Sequence, residues 1–212
     1  MRLMCSGLRV ALIAVLPFVV SAPAAFGANI VLNPGFETGD FTDWVANGSS
    51  NHPWFVDASS AFAGTYDAST GCVGAQCITN DVGAQNPVGA WLYQDLATTA
   101  STSYTLSFEF STGGSPMELQ VLWNGNVALD LTGLASGPYN LYTIGGLVAT
   151  SSTTRLEFLG REDPSYSGLD SVCVSSSTDC GSASAVPEPM TLGLTGFGLA
   201  ALGFVRFRRR AS

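Results

Sequence analysis

The chain has 212 residues, with eight basic side chains, all of them arginine, against sixteen acids. Six arginines (Arg2, Arg9, Arg206, Arg208, Arg209 and Arg210) sit at the two ends. Residues 28–186 therefore hold two arginines and fifteen acids, 2 − 15 = −13, against −8 for the whole chain. A region this acidic excludes nucleic acid as a partner, because phosphate backbones are bound through clustered cations.

Residues 1–27 read as a secretory signal helix. Arg2 and Arg9 give a positive start, residues 10–20 are apolar, and small residues follow up to Gly27. Ala22-Pro-Ala24 and Ala25-Phe-Gly27 both suit signal peptidase, which puts the mature start near Ala28. Cys5 precedes the apolar run and leaves with the leader.

From residue 28 to residue 175 the hydrophobic period is two, and no stretch of twelve residues has a clean helical face. Tyr104, Leu106, Phe108 and Phe110 alternate with polar residues. Met117, Leu119, Val121 and Trp123 do the same and run into Asn124-Gly125, a strong hairpin signal, before Val127, Leu129 and Leu131. Leu156 and Phe158 alternate with Arg155 and Glu157. Residues 29–33, 53–57, 90–97, 139–144 and 169–175 complete the expected strands. Residues 58–87 are Gly-rich and read as a long loop with short strands. Short strands separated by Gly, Asn and Ser predict one all-β domain, an antiparallel jelly-roll β-sandwich over residues 28–175. A Ser-rich linker, residues 176–185, follows.

Four cysteines outlast the leader: Cys72, Cys77, Cys173 and Cys180. An even number in an oxidising compartment reads as disulfides. Of three possible connectivities, Cys72–Cys77 and Cys173–Cys180 are favoured, because each closes a short Gly- or Ser-rich loop. The strand alternation puts Asp170, Val172 and Val174 on one face and Cys173 on the other.

Catalytic signals are weak, and no enzyme is expected. His52 is the single histidine, with no nucleophile elbow near it. Among the aromatics, Trp123 is in phase with Leu119 and Val121 and reads as core, as does Trp44. Trp54, in a polar loop, is the best ring for stacking a sugar. Trp91 and Tyr93 are out of phase with Leu92 and Leu96, which makes them outer-face binding candidates or part of a second core.

The C-terminal segment, residues 186–212, carries Pro187-Glu188-Pro189, an uncharged apolar run over residues 190–205, and then Arg206-Phe-Arg-Arg-Arg210. As a helix the run spans about 24 Å, slightly short of a bilayer core. The terminal arginines would hold that end on the cytoplasmic side. Triplet, apolar run and arginine cluster together resemble the PEP-CTERM sorting domain. The resemblance implies an exosortase-type membrane protease acting at Pro187, Glu188 and Pro189. It also implies a single transmembrane helix that holds an inner-membrane-anchored intermediate. The product would then reach the surface or surroundings of a Gram-negative cell, often one rich in exopolysaccharide.

A second resemblance lies inside the domain. Asn33-Pro-Gly-Phe-Glu37-Thr-Gly39 with Phe41 and Trp44, and later Gly168-Leu-Asp170-Ser-Val172, resemble the opening and closing segments of galactose-binding-like jelly rolls, many of them carbohydrate-binding modules. Ser171 stands where the family usually has a second acid. The resemblance implies neighbouring first and last strands and a structural Ca²⁺ held by Glu37 and Asp170. Turn capping by the same two acids is the plainer alternative. Three functions follow as expectations. The first is a non-catalytic surface or matrix protein associated with exopolysaccharide. The second is a dedicated carbohydrate-binding module, and the third, a glycosidase, has the least support.

Overall fold

The computed structural model describes residues 28–47, 54–163 and 165–177. The expected signal helix, His52, Cys180 and the sorting segment with Pro187, Glu188 and Pro189 lie outside the described residues. Ten strands form: β1 (Val45–Ala46), β2 (Phe55–Asp57), β3 (Asp67–Thr70), β4 (Trp91–Ala97), β5 (Ser103–Thr112), β6 (Met117–Trp123), β7 (Asn126–Thr132), β8 (Gly137–Val148), β9 (Thr153–Glu162) and β10 (Ser167–Ser175). One short 3-10 turn, Ala75–Ile78, lies between β3 and β4.

The strands make two five-stranded sheets. Sheet A has the order β1-β4-β9-β6-β7, and sheet B the order β2-β3-β10-β5-β8. The assigned strand pairs in both are antiparallel. From β4 onward the chain crosses between sheets at every connection except the β6–β7 hairpin. The two sheets are therefore built from interleaved segments of the chain. That hairpin turns on Asn124 and Gly125, both at positive φ (51° and 78°), the geometry Asn-Gly tolerates best.

Period-two alternation decides which side chains meet between the sheets. Leu92 and Leu96 of β4, Leu106, Phe108 and Phe110 of β5, Leu119 and Val121 of β6, and Leu156 and Phe158 of β9 are all buried there. Burying each such side chain contributes about 1.5–3 kcal/mol. Phe108 meets Phe158 edge-on at 5.4 Å and stacks on Tyr142 of β8 at 5.6 Å. Trp44 and Trp123 join this core, as the sequence pattern requires.

Trp54 also belongs to the core, which corrects its assignment as a loop-borne binding ring. It is only 3% exposed, its indole N–H donates to the Ala90 carbonyl at 3.0 Å, and its ring lies against Gly160 of β9. Gly160 makes that approach possible: a β-carbon there would come within 2.9 Å of the ring and 2.5 Å of Thr70.

Two further expectations change. Residues 29–33 do not form a strand. The Asn29 side chain donates to the Val172 carbonyl and accepts from Val174 N–H, while Ile30 N–H donates to the Val174 carbonyl. Asn29 thereby does with an amide what a ladder would do with backbone, and Asn33, at φ 46°, starts a turn. In β10 a bulge at Ser171 (φ 52°) shifts the register between Asp170 and Cys173. Leu169, Val172 and Val174 face the core, and Asp170 shares the outer face with Cys173, not with Val172. One inserted residue moves every side chain beyond it to the other face.

Candidate functional site

Both sheets have chemically distinctive outer faces. On sheet A, register places Trp91 opposite Leu159, Tyr93 opposite Glu157, and Asp95 opposite Arg155. The segment after the disulfide loop folds over one end of this face. There Trp91, Leu122 and Leu159 form a second, smaller core with Ile78, Val82 and Tyr93. Trp91 is 7% exposed and its N–H donates to Asp81, so it is part of this core and offers no open ring. Asp81 also accepts the N–H groups of Val88 and Gly89, which hold its carboxyl below the usual range against the effect of burial.

Beside this cluster an open groove of about 460 Å³ is lined by Asn80, Val82, Asp95, Asn124, Gly125, Thr153, Arg155 and Glu157. Arg155 donates to both oxygens of Asp95, at 2.8 and 2.9 Å, and lies 3.8 Å above the Tyr93 ring. The hydrogen bonds from Arg155 hold Asp95 below the ordinary aspartate range. Glu157 sits at the floor, 1% exposed. Its Oε2 accepts from Asn80 at 3.2 Å, and its Oε1 is buried with no hydrogen-bond donor. Burial pushes its pKa up, and Arg155 only partly opposes that shift. None of the sequence candidates lines this groove; Tyr93 meets it only through Arg155, whose guanidinium lies over its ring. Arg155 and Glu157 were readable as outward-facing from the alternation with Leu156 and Phe158. Their partners Asp95 and Asn80 needed the strand register.

The outer face of sheet B is acidic. Asp57 pairs with Asp67 across β2 and β3, and Asp170 pairs with Glu109 across β10 and β5. Residues 58–66 cross over this face. Asp67 and Asp170 are fully buried beneath them, and burial raises the pKa of both. Glu109 is raised as well, by burial and then by Asp170. The Tyr139 hydroxyl donates to Asp67 Oδ2, while Asp67 Oδ1 is buried without a donor. Exposed Phe62 packs on Tyr139 at 5.7 Å, and Phe55 meets Tyr166 edge-on at 5.6 Å.

The opening motif is a compact turn. Asn33 donates to Thr38 Oγ1 and to the carbonyls of Asp40 and Thr42, the Trp44 indole N–H donates back to the Asn33 carbonyl, and Phe36 packs on Trp44 at 5.5 Å. This turn carries Glu37 to the loop that Asp170 also reaches. Glu37 accepts the N–H groups of Thr65 and Tyr66, and Asp170 those of Ala63 and Ser171. A β-carbon on Gly35 would lie 3.3 Å from Asp170 Oδ1 and 3.7 Å from Glu37 Cγ, so the two acids flank that glycine. Two carboxylates suit a hard cation. Ca²⁺ takes six to eight oxygens, and loop carbonyls and water would have to supply the rest. Among the described residues no three or more His, Cys, Asp or Glu converge as metal ligands. Cys72 and Cys77 are bonded, with Cα atoms 5.9 Å apart. Cys173 is disulfide-bonded too, and its expected partner Cys180 lies outside the described residues.

No family model and no curated protein matches the chain. Solved structures of similar outline exist. One is a family 61 carbohydrate-binding module, TmCBM61, in complex with β-1,4-galactotriose: TM-score 0.49, 16% identity, 69% of this chain and 97% of that one. Another is the xylan-binding CBM22-1 domain of Paenibacillus barcinonensis Xyn10C: TM-score 0.47, 17% identity, 72% and 97%. A third is the K3 adhesin domain of Lys-gingipain from Porphyromonas gingivalis: TM-score 0.48, 20% identity, 68% and 98%. At these scores and identities the likenesses carry no argument about this chain's ligand.

Proposed function

We propose that the chain is an exported, non-catalytic cell-surface or matrix protein whose sandwich domain binds a polysaccharide in the sheet A groove. The observation that carries this reading is the make-up of the groove. Asn80, Asp95, Asn124, Thr153, Arg155 and Glu157 line one open depression with donors and acceptors. Sugar hydroxyls need both, at fixed angles, and Arg155 stacked on Tyr93 adds a flat face. The test is binding of the full chain to a panel of polysaccharides, with product release followed in parallel. Binding weakened by Asn124→Ala and Thr153→Ala, without turnover, supports the reading. Turnover would make the protein a glycosidase, and no binding to any polymer would remove the groove as a glycan site.

Export and sorting belong to the same proposal. It has a signal peptide at residues 1–27, the domain at residues 28–175, a linker at residues 176–185 and a sorting segment at residues 186–212 cut by an exosortase-type enzyme. The Pro187-Glu188-Pro189 triplet ahead of an apolar run and four arginines supports this. Intact mass and location of the mature product test it. A Glu188→Ala chain that still reached the surface at wild-type mass would refute the sorting step. A structural Ca²⁺ at Glu37 and Asp170 completes the proposal, supported by both side chains reaching the same loop, Glu37 at Thr65 and Tyr66 and Asp170 at Ala63.

A further inference from the structure

We propose that the sheet A groove selects glycans that carry protonated amino groups and rejects uronate polymers. This rests on the polysaccharide reading above and names the class of sugar.

The one cation lining the groove, Arg155, is already paired with Asp95. A polyanionic glycan needs an unpaired cation at its binding face. The described residues contain two arginines and no lysine, and both arginines are in ion pairs: Arg155 with Asp95 at 2.8 Å and Arg161 with Asp163 at 2.6 Å. Glu157 shares Arg155 with Asp95, and Asp81 adds a further negative charge near Glu157. The region from residue 28 to residue 186 carries −13 overall. A uronate chain would be repelled at long range and find no partner at contact.

Glu157 Oε1 is buried without a donor, at the floor of a groove open to solvent. A sugar hydroxyl would supply a hydrogen bond there but no charge. A sugar ammonium supplies both, and a charge-assisted bond to a carboxylate is about twice as strong as a neutral one. Asn80, the exposed amide on Oε2, stands at the entrance. An amine entering beside it would complete the acceptor set of Glu157.

The experiment measures binding of short glucosamine oligomers, their N-acetylated counterparts and oligogalacturonate to the full chain at pH 5.5, 6.5 and 7.5 and physiological salt, a series that spans the raised titration of Glu157. The expected result is binding of the amino oligomer at least tenfold tighter than the acetylated one, with no galacturonate binding. Glu157→Gln, which keeps shape and removes charge, should abolish the preference while its melting temperature stays at or above wild type. Asp130→Asn, an exposed charge outside the groove lining, should leave the preference intact. Equal affinity for amino and acetylated oligomers overturns the amine selectivity and leaves the glycan reading standing. Equal loss in both variants means general charge attraction and also overturns it. Binding of no oligomer at all overturns both readings.

Discussion

The guanidinium carbon of Arg155 stands 3.8 Å from the centroid of the Tyr93 ring while two of its nitrogens bridge Asp95. One side chain thus ties β4 to β9 through a planar stack and a planar fork. Lysine can do neither in the same way. The ion pair is partly exposed, so its contribution to stability is small, about 0.2–1 kcal/mol, with the stack adding a similar amount. Arg155→Lys is therefore expected to lower stability by roughly 1 kcal/mol in urea melts. Glycan affinity should fall more steeply, because the flat face of the groove is lost. A variant that loses stability but keeps full affinity would place the glycan elsewhere.

Glu157 should cost stability as the pH rises. Its folded pKa is raised by burial, so the folded domain holds the proton at pH values where the unfolded chain has released it. The contribution is most favourable below the ordinary glutamate value of about 4.3, and it is lost as pH climbs through the window above it. Glu157→Gln removes that loss. It is expected to be more stable than wild type at pH 7.5 by on the order of 1 kcal/mol, and no more stable at pH 4. Denaturant melts at the two pH values test this, and an equal difference at both would show that burial does not govern the titration.

Tyr139 holds a fully buried carboxyl whose other side-chain partner is Ser60. Its hydroxyl serves Asp67 Oδ2, and Asp67 Oδ1 already lacks a donor. Tyr139→Phe keeps the ring against Phe62 and deletes the hydroxyl, which donates to Asp67 and also meets Ser111. Leaving a buried group unsatisfied costs about 1–3 kcal/mol, and that is the loss expected at neutral pH. Adding Asp67→Asn to this variant should recover part of it, since a neutral amide tolerates the site better than a carboxylate. Additive losses in the double variant would contradict the pairing.

Most strands from β4 onward were legible because one face is buried against the other sheet, which forces alternation into the sequence; β7 is the exception, with Val127 exposed and Leu129 and Leu131 only partly buried. The same logic separated Trp123 from Trp91 and Tyr93. Alternation failed where a different interaction replaces the ladder. The Asn29 amide substitutes for strand pairing, and β3 hides in a stretch where Asp67, Ser69 and Thr70 are polar yet buried. Trp54 misled because polar neighbours in sequence do not report what lies across the sandwich, where Gly160 leaves room for its ring. The groove was illegible for a related reason: Asn80, Asp95, Asn124 and Glu157 come from separate segments joined only by register. No period in the sequence encodes that Asp95 faces Arg155.

Calcium gives the sharpest test of the opening and closing motifs. Glu37 and Asp170 flank Gly35, and both already accept backbone N–H groups from residues 63–66. Their substitution therefore has two effects that must be separated. In EDTA, Glu37→Gln and Asp170→Asn should each melt somewhat below wild type, because the loop loses charged acceptors. In Ca²⁺ at about 100 times Kd, wild type should gain roughly 2.7 kcal/mol, several degrees in Tm, since the ion binds the folded state alone. Neither variant should show that gain, and Mg²⁺ should give little of it, because it surrenders water reluctantly. An unchanged wild-type midpoint would reduce Glu37 and Asp170 to loop anchors. A gain that survives in both variants would move the ion to another part of the acidic surface, with the Asp57, Asp67 and Glu109 row on sheet B the next place to substitute.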